Sequence, residues 1–222
     1  MNKEKKRLLV EEWSRLITPQ RFARMQQVLN GRTRYVTAVL EDVYRSPNSN
    51  AAIRSLECFG IQDVHLVEDR FKAKLNNAIA KGATQWTTIK HYEGDPQNAN
   101  AGIESCFKNL KQQGYMIVAT TPHSQGCLLP ELSIDRKIAL VFGNEEAGVS
   151  TYAQEHADAY VTIPMYGFTE SFNIAASVAI VAYDLITRIK KASLEWSLSS
   201  DEKIDILYDW LYATGRMPES DD

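Results

Sequence analysis

Three short stretches combine residue types that could bind a ligand or move a proton. The first is Tyr44-Arg45-Ser46-Pro47-Asn48-Ser49-Asn50-Ala51-Ala52-Ile53-Arg54. It places a polar turn at a helix N-terminus, with Arg54 about one and a half turns beyond Asn48. Asn48 or Ser49 can equally cap that helix, and Arg54 can equally be a surface arginine. The second is Gly143-Asn144-Glu145-Glu146-Ala147-Gly148-Val149-Ser150, a glycine-bounded turn between a strand and a helix. Gly143 would let a ligand approach the backbone closely. The adjacent carboxylates Glu145 and Glu146 suit a ligand with hydroxyls and a positive centre better than a phosphate; a plain connecting turn is the other reading. The third is Pro164-Met165-Tyr166-Gly167-Phe168-Thr169-Glu170-Ser171-Phe172-Asn173. Apolar walls with a few polar groups are what a cofactor pocket needs, although a loop packed into the core would look the same.

Other chemistries lack their residues. There is no GxGxxG fingerprint for a dinucleotide, no Walker loop and no GxSxG elbow. His65, His91, His123 and His156 are scattered without metal or triad spacing, and Cys58, Cys106 and Cys127 are odd in number and far apart. Neither a disulfide framework nor a structural metal is indicated, and a reducing, cytoplasmic setting is expected. The N-terminus has no apolar signal core. The longest apolar run, Ile174–Ile186, is interrupted by Ser177 and Asp184 and is too short for a bilayer, so no membrane partner is expected.

The elements that must position the three loops follow from hydrophobic periodicity. Lys3–Ile17 reads as a helix, and Thr18-Pro19 starts another that Asn30-Gly31 ends. Strands are predicted over Val36–Val43, Val64–Val67, Trp86–His91, Tyr115–Thr120, Lys137–Phe142 and Tyr160–Ile163. Helices are predicted over Ser49–Phe59, Ala73–Ala80, Ile103–Gln113, Ser171–Lys191 and Asp201–Thr214, with Ser171 or Asn173 capping the long one. Strands that alternate with helices and read as continuous apolar runs imply an α/β fold. Its sheet is mostly parallel, with helices on both faces. In such sheets ligands sit beyond the carboxyl ends of the strands, where all three loops fall.

At 222 residues the chain is one large domain, or one domain with a small helical attachment. Its net charge of −3 speaks against nucleic acid only until it is divided. Residues 1–36 carry +6 and the remaining 186 carry −9. A basic head on an acidic body points to a polyanion bound at one end, or to an ordinary solvated amphipathic helix.

In order and spacing, Asn48 with Arg54, then Val141-Phe142-Gly143-Asn144-Glu145-Glu146-Ala147-Gly148-Val149-Ser150, then Ile163-Pro164-Met165-Tyr166-Gly167 leading into Ser171-Phe172-Asn173, resemble the three motifs of the SpoU branch of the SPOUT RNA methyltransferases. Thr18-Pro19-Gln20-Arg21-Phe22 through Val28-Leu29, Thr37–Val43, and the tail around Trp210-Leu211 are similar to the TrmH type, the tRNA guanosine-18 2′-O-methyltransferases. That type usually has a Lys-Pro-His-Asn run where this chain has Arg45-Ser46-Pro47-Asn48, and leucine is commoner at Phe172.

The resemblance implies a deep trefoil knot near the C-terminus that holds S-adenosylmethionine, and a homodimer with its active site near the subunit interface. It implies that Arg54 is the catalytic arginine, taking the proton of a ribose 2′-OH with help from an RNA phosphate. Asn48 would lie near the reacting ribose; Glu145, Ser171 and Asn173 would shape the pocket and hold the arginine. Thr120, Gly143, Ile163 and Phe172 would line the cofactor site, with Pro164 and Met165 in its apolar wall. Arg21, Arg24, Arg32 and Arg34 would hold tRNA phosphates. The 2′-OH distinguishes RNA from DNA, so no DNA partner is expected. The organisation implied is a basic helical extension over 1–36, a knot domain over 37–192 and a helical tail over 193–222. A ribosomal RNA methyltransferase of the same family and a non-catalytic RNA-binding knot protein are the alternatives. A nicotinamide oxidoreductase is a more distant one.

Overall fold

The computed structural model describes residues 1–122 and 126–215; His123 and the end of the expected tail, 216–222, lie outside the described residues. The described chain forms two units. One is Arg34–Trp196, and the other joins Met1–Thr33 to the described part of Ser197–Asp222. The two terminal stretches, expected as separate extensions, therefore pack together, with boundaries at 33/34 and 196/197.

The helical unit holds α1 (Lys3–Ser14), α2 (Pro19–Asn30) and α9 (Ser200–Tyr212). Thr18 caps α2, accepting from the Arg21 N–H, and Pro19 occupies its first turn. Ser199 and Glu202 form a capping box at the start of α9. Each of these helices has one apolar stripe and needs a partner to cover it. Val10 and Trp13 of α1, Met25 and Leu29 of α2, and Ile206, Leu207, Trp210 and Leu211 of α9 are the buried side chains.

In the larger unit the order is β1 (Val36–Glu41), α3 (Ser46–Cys58), β2 (Asp63–Glu68), α4 (Asn77–Ala80), α5 (Ala83–Trp86), β3 (Thr88–Glu93), α6 (Ala101–Gln112), β4 (Met116–Thr120), β5 (Cys127–Leu128), β6 (Ile138–Phe142), α7 (Thr151–His156), β7 (Ala159–Thr162) and α8 (Ile174–Lys191). The seven strands form one sheet in the order β3-β2-β1-β6-β4-β7-β5. Every pairing in it is parallel. Side chains alternate between two apolar layers, as strand geometry requires. Val36, Ala38 and Leu40 of β1 join Ile53 and Leu56 of α3 and Val178 and Leu185 of α8. Val39 of β1 and Val141 of β6 instead meet Ile103 and Phe107 of α6 and Ala153 of α7. The expected fold class, a parallel sheet covered on both faces, is the observed one.

Four local readings change. β1 ends at Glu41 because Asp42 takes a left-handed conformation, φ 52°. α3 begins at Ser46 with Pro47 in its first turn, so Asn48 and Ser49 lie inside the helix and cap nothing. The helix predicted over Ala73–Ala80 shrinks to α4; residues 70–76 are irregular and are held by side chains of other elements. The short β5 and α5 were not anticipated.

Candidate active site

All three loops lie at the carboxyl ends of the strands of the larger unit and line one cleft of about 500 Å³. Asn48 and Arg45 come from the β1–α3 connection. Gly143, Glu145 and Glu146 come from the β6–α7 loop. Ile163, Met165, Ser171, Phe172 and Asn173 come from the β7–α8 loop, and Thr120 ends β4. A hydrogen-bonded chain ties the loops together. The Asn48 amide donates to Glu145 Oε1, and the Asn173 amide donates to Asn48 Oδ1 at 3.2 Å. Asn173 also caps α8, accepting from the Ala175 N–H at 2.9 Å. One side chain thus starts the long helix and orients the motif asparagine across the cleft.

The β6–α7 loop is a closed hairpin. Asn144 and Gly148 exchange backbone hydrogen bonds of 2.9 and 2.8 Å. A methyl group on Gly143 would sit 2.0 Å from the Gly148 carbonyl carbon. A side chain at 143 is therefore incompatible with the way the loop folds onto itself, and the bare Gly143 backbone also lines the cleft. Two residues that sequence reasoning missed anchor this hairpin to the end of β1. Asn144 Nδ2 donates to the Asp42 carbonyl at 3.0 Å, and the Ser150 N–H donates to Glu41 Oε2 at 3.0 Å. Glu41 is buried, and burial raises its pKa, against the lowering effect of the Ser150 hydrogen bonds. A carboxylate closing an otherwise apolar strand, Thr37-Ala-Val-Leu-Glu41, was the available signal. Thr120 donates its hydroxyl to the Val141 carbonyl at 2.9 Å, fixing its position beside the cleft.

Glu145 has one oxygen on Asn48 and the other, Oε2, buried without a hydrogen-bond partner. A carboxylate oxygen in that state is costly unless something with positive charge or a donor hydrogen completes it. Ser171 and Phe172 line the cleft but are exposed. Arg54 lies on the exposed side of α3 and is not among the cleft-lining residues. It makes no hydrogen bond or ion pair among the described residues. Glu145, Ser171 and Asn173, expected to hold it, do not.

The four arginines assigned to phosphates separate into two pairs. Arg21 and Arg24 are exposed on α2, with Arg24 donating to Gln27 at 2.8 Å. Arg32 is only 1% exposed, its guanidinium 5.3 Å from the centre of the Trp210 ring, so it belongs to the core of the helical unit. Arg34 pairs with the buried Asp63 at 3.0 Å in the α/β unit. The basic head is also partly neutralised. Lys6 pairs with Asp205 at 2.6 Å, Arg7 with Asp201 at 2.9 Å, and Lys3 with Asp201 as well. Among the described residues there is no cluster of three or more metal-ligating side chains and no helix long and apolar enough to cross a membrane.

Residues 35–183 match the model of the SpoU rRNA Methylase family. The chain belongs to the SpoU methylase family. Among its relatives within and around that family, a tRNA (guanosine(18)-2'-O)-methyltransferase of Borreliella burgdorferi is 42% identical over 193 residues, 87% of this chain and 85% of that one. One of the same name from Aquifex aeolicus is 28% identical over 200 residues, covering 89% and 91%. The crystal structure of an A. aeolicus TrmH/SpoU tRNA modifying enzyme superposes with a TM-score of 0.75 at 28% identity, over 88% of this chain and 96% of that chain. The SpoU methyltransferase AviRb of Streptomyces viridochromogenes, solved with AdoMet, shares the fold at a TM-score of 0.57 and 18% identity, over 73% and 60% of the two chains. The SpoU match begins at the residue before β1 and ends within α8, so it spans all three site loops.

Proposed function

We propose that the protein transfers a methyl group from S-adenosylmethionine to the ribose 2′-OH of a tRNA guanosine, at position 18. The observation that carries this reading is the convergence of Asn48, Glu145 and Asn173 in one cleft of a SpoU chain. It is supported by a relative of that named activity at 42% identity along most of both chains.

The cleft suits the cofactor. Glu145 Oε2 is buried and unpartnered, so this part of the lining favours a cation or a donor hydrogen, whereas Glu146 is already paired with Arg45. Ile163, Met165 and Phe172 offer apolar wall, while Thr120 and the Gly143 backbone complete the lining. Bound there, S-adenosylmethionine supplies an electrophilic methyl carbon on a cationic sulfur. The chain's own tasks are to align the 2′-oxygen and to remove its proton. Asn48, locked between Glu145 and Asn173, has its amide group held in one orientation beside the reacting ribose. Ser171 shapes the same wall. Arg54 takes the proton as a neutral guanidine, its own proton having passed to an adjacent RNA phosphate, since a guanidinium has no lone pair to accept with. Its place outside the lining of its own cleft suits a residue that works at a subunit interface.

We assign the family's homodimer and deep trefoil knot to this chain as well. Over residues 174–183 α8 is apolar but for Ser177, with Ala176 and Tyr183 exposed and Ala175, Ala179 and Ile180 half-buried, as a helix covered by a second copy would be. The insertion of β6 between β1 and β4, and of β7 between β4 and β5, supports the knot by making the chain cross back through its own order. Arg21 and Arg24 are the phosphate contacts we retain from the basic head, and the cytoplasm is the site of action. Incubating the protein with methyl-labelled S-adenosylmethionine and unmodified tRNA or ribosomal RNA tests the reading. Label in tRNA is expected; label confined to ribosomal RNA, or to neither, would overturn it.

A further inference from the structure

Between β2 and α4 the chain runs without regular structure, yet it is firmly held. Asp42 Oδ1, displayed by the left-handed turn after β1, accepts from the N–H groups of Arg70 and Phe71 at 2.8 and 3.2 Å. Glu68 Oε1 accepts from the Ala73 N–H at 2.7 Å. Asn50, buried in α3, donates to the Lys74 carbonyl at 3.0 Å and accepts from the Asn76 N–H at 2.8 Å. Ser46 donates to the same Lys74 carbonyl at 2.8 Å. Side chains of Asp42, Glu68, Asn50 and Ser46 thus bond this strap's backbone, and while Ala73 and Leu75 pack against the core, its other side chains are displayed.

What it displays is cationic and aromatic. Arg70, Phe71, Lys72 and Lys74 are all exposed. Phe71 is 45% exposed, and its ring lies 4.9 Å from that of Tyr44, tilted by 41°. The side chains of Arg70 and Lys74 make no hydrogen bond or ion pair among the described residues, whereas Lys72 pairs with Glu93 at 3.0 Å. The aromatic pair adjoins the cleft, because the Tyr44 hydroxyl donates to Glu146 Oε1 at 3.2 Å and Arg45 reaches the same oxygen at 3.1 Å. Arg45 and Glu146 both line the cleft.

We propose that this strap, together with Tyr44, binds unpaired nucleotides of the RNA substrate next to the target ribose. Phe71 and Tyr44 take a base face and Arg70 and Lys74 take flanking phosphates; the inference rests on the RNA-methylating function proposed above. An exposed aromatic ring, Phe71, flanked by the unengaged cations Arg70 and Lys74 is the pattern by which proteins hold single strands, and half-buried Tyr44, with the Arg45 guanidinium 5.7 Å from its ring centre, backs that ring. The patch gathers Arg70, Lys72 and Lys74 within five residues, in a part of the chain whose net charge beyond residue 36 is −9. A second copy of the chain is a poorer occupant, since a two-fold contact there would bring like charges together.

Two variants test it in the full-length protein, Phe71→Leu and the double variant Arg70→Gln/Lys74→Gln. Phe71→Leu keeps apolar bulk but removes the ring. It is expected to raise the KM for tRNA about tenfold, with unchanged kcat and an unchanged Kd for S-adenosylmethionine by calorimetry. The double variant is expected to weaken tRNA binding and to lower the slope of log K against log salt by about 1.4, at roughly 0.7 per single-strand phosphate. Wild-type KM and salt slope in both variants would overturn the strap proposal while leaving the methylation reading intact. So would a raised Kd for the cofactor, which would place the strap's effect in the cleft, or a changed sedimentation coefficient, which would make the surface a contact between copies. Should the wild-type protein methylate no RNA, the proposed function fails, and direct tRNA binding by the same variants still decides the strap: unchanged affinity overturns it.

Discussion

Replacing Gly143 by alanine tests whether that glycine is what lets the β6–α7 loop fold onto itself, in which case the added methyl group opens the hairpin. Alanine Cβ would lie 2.0 Å from the Gly148 carbonyl carbon and 2.1 Å from its oxygen. An ordinary carbon–carbon contact is about 3.5 Å, so one side of the hairpin must move by roughly 1.5 Å. That displacement is enough to break the paired Asn144–Gly148 backbone hydrogen bonds of 2.9 and 2.8 Å. At about 1 kcal/mol net for each bond, the closed loop loses about 2 kcal/mol. Affinity for S-adenosylmethionine should then fall about 30-fold, with the far-ultraviolet circular dichroism unchanged. Gly148→Ala is the companion. It meets nothing within 4 Å but has φ +69°, so it carries only the left-handed cost of about 1–2 kcal/mol and should leave the hairpin closed. Isothermal titration calorimetry with the cofactor measures both. A Gly143→Ala protein that binds with the wild-type Kd would refute the loop-closure account.

Other outcomes follow from named residues. Arg54→Ala should abolish methyl transfer while the cofactor Kd stays put, since Arg54 does not line the cleft; near-normal turnover would remove it from the mechanism. Arg21→Gln/Arg24→Gln should weaken tRNA binding and flatten its salt dependence, whereas Arg32→Gln should instead lower the Tm, because Arg32 is buried over Trp210; equal effects on binding from both would contradict this division. His65 lies buried in β2, its pKa lowered from 6.5 to about 4, chiefly by burial and then by Lys90. The unfolded chain therefore binds the extra proton between those values, and stability should fall as pH drops from 6.5 to about 4, by about 3 kcal/mol at most. Thermal unfolding of the protein and of His65→Gln across that range should show a slope that the variant lacks.

The sheet was legible because strands buried on both faces must be continuous apolar runs, and Ile138–Phe142 is one. Helix starts were legible where the cap is local, as at Thr18 and Asn173. What could not be read depends on partners far along the chain. The stretch Ala73–Ala80 has the composition of a helix, but over 73–76 Glu68 and Asn50 offer its N–H and C=O groups other partners, and only Asn77–Ala80 is helical. Glu41 anchors Ser150 across 109 positions, a relation no local pattern encodes. Arg21 and Arg32 look alike in sequence; Trp210, 178 residues beyond Arg32, is what buries one of them. The site loops were identifiable by their resemblance to SpoU motifs, yet their mutual hydrogen bonds, with Asn48 between Glu145 and Asn173, are properties of the fold.

Mapping the labelled methyl group shows whether a single tRNA ribose is the acceptor. A 2′-O-methyl group blocks alkaline cleavage of the adjoining phosphodiester. Unmodified tRNA treated with the protein and labelled S-adenosylmethionine should therefore give a single labelled, alkali-resistant dinucleotide containing guanosine 18. Label released as a mononucleotide by alkali would place the methyl group on a base and contradict the account.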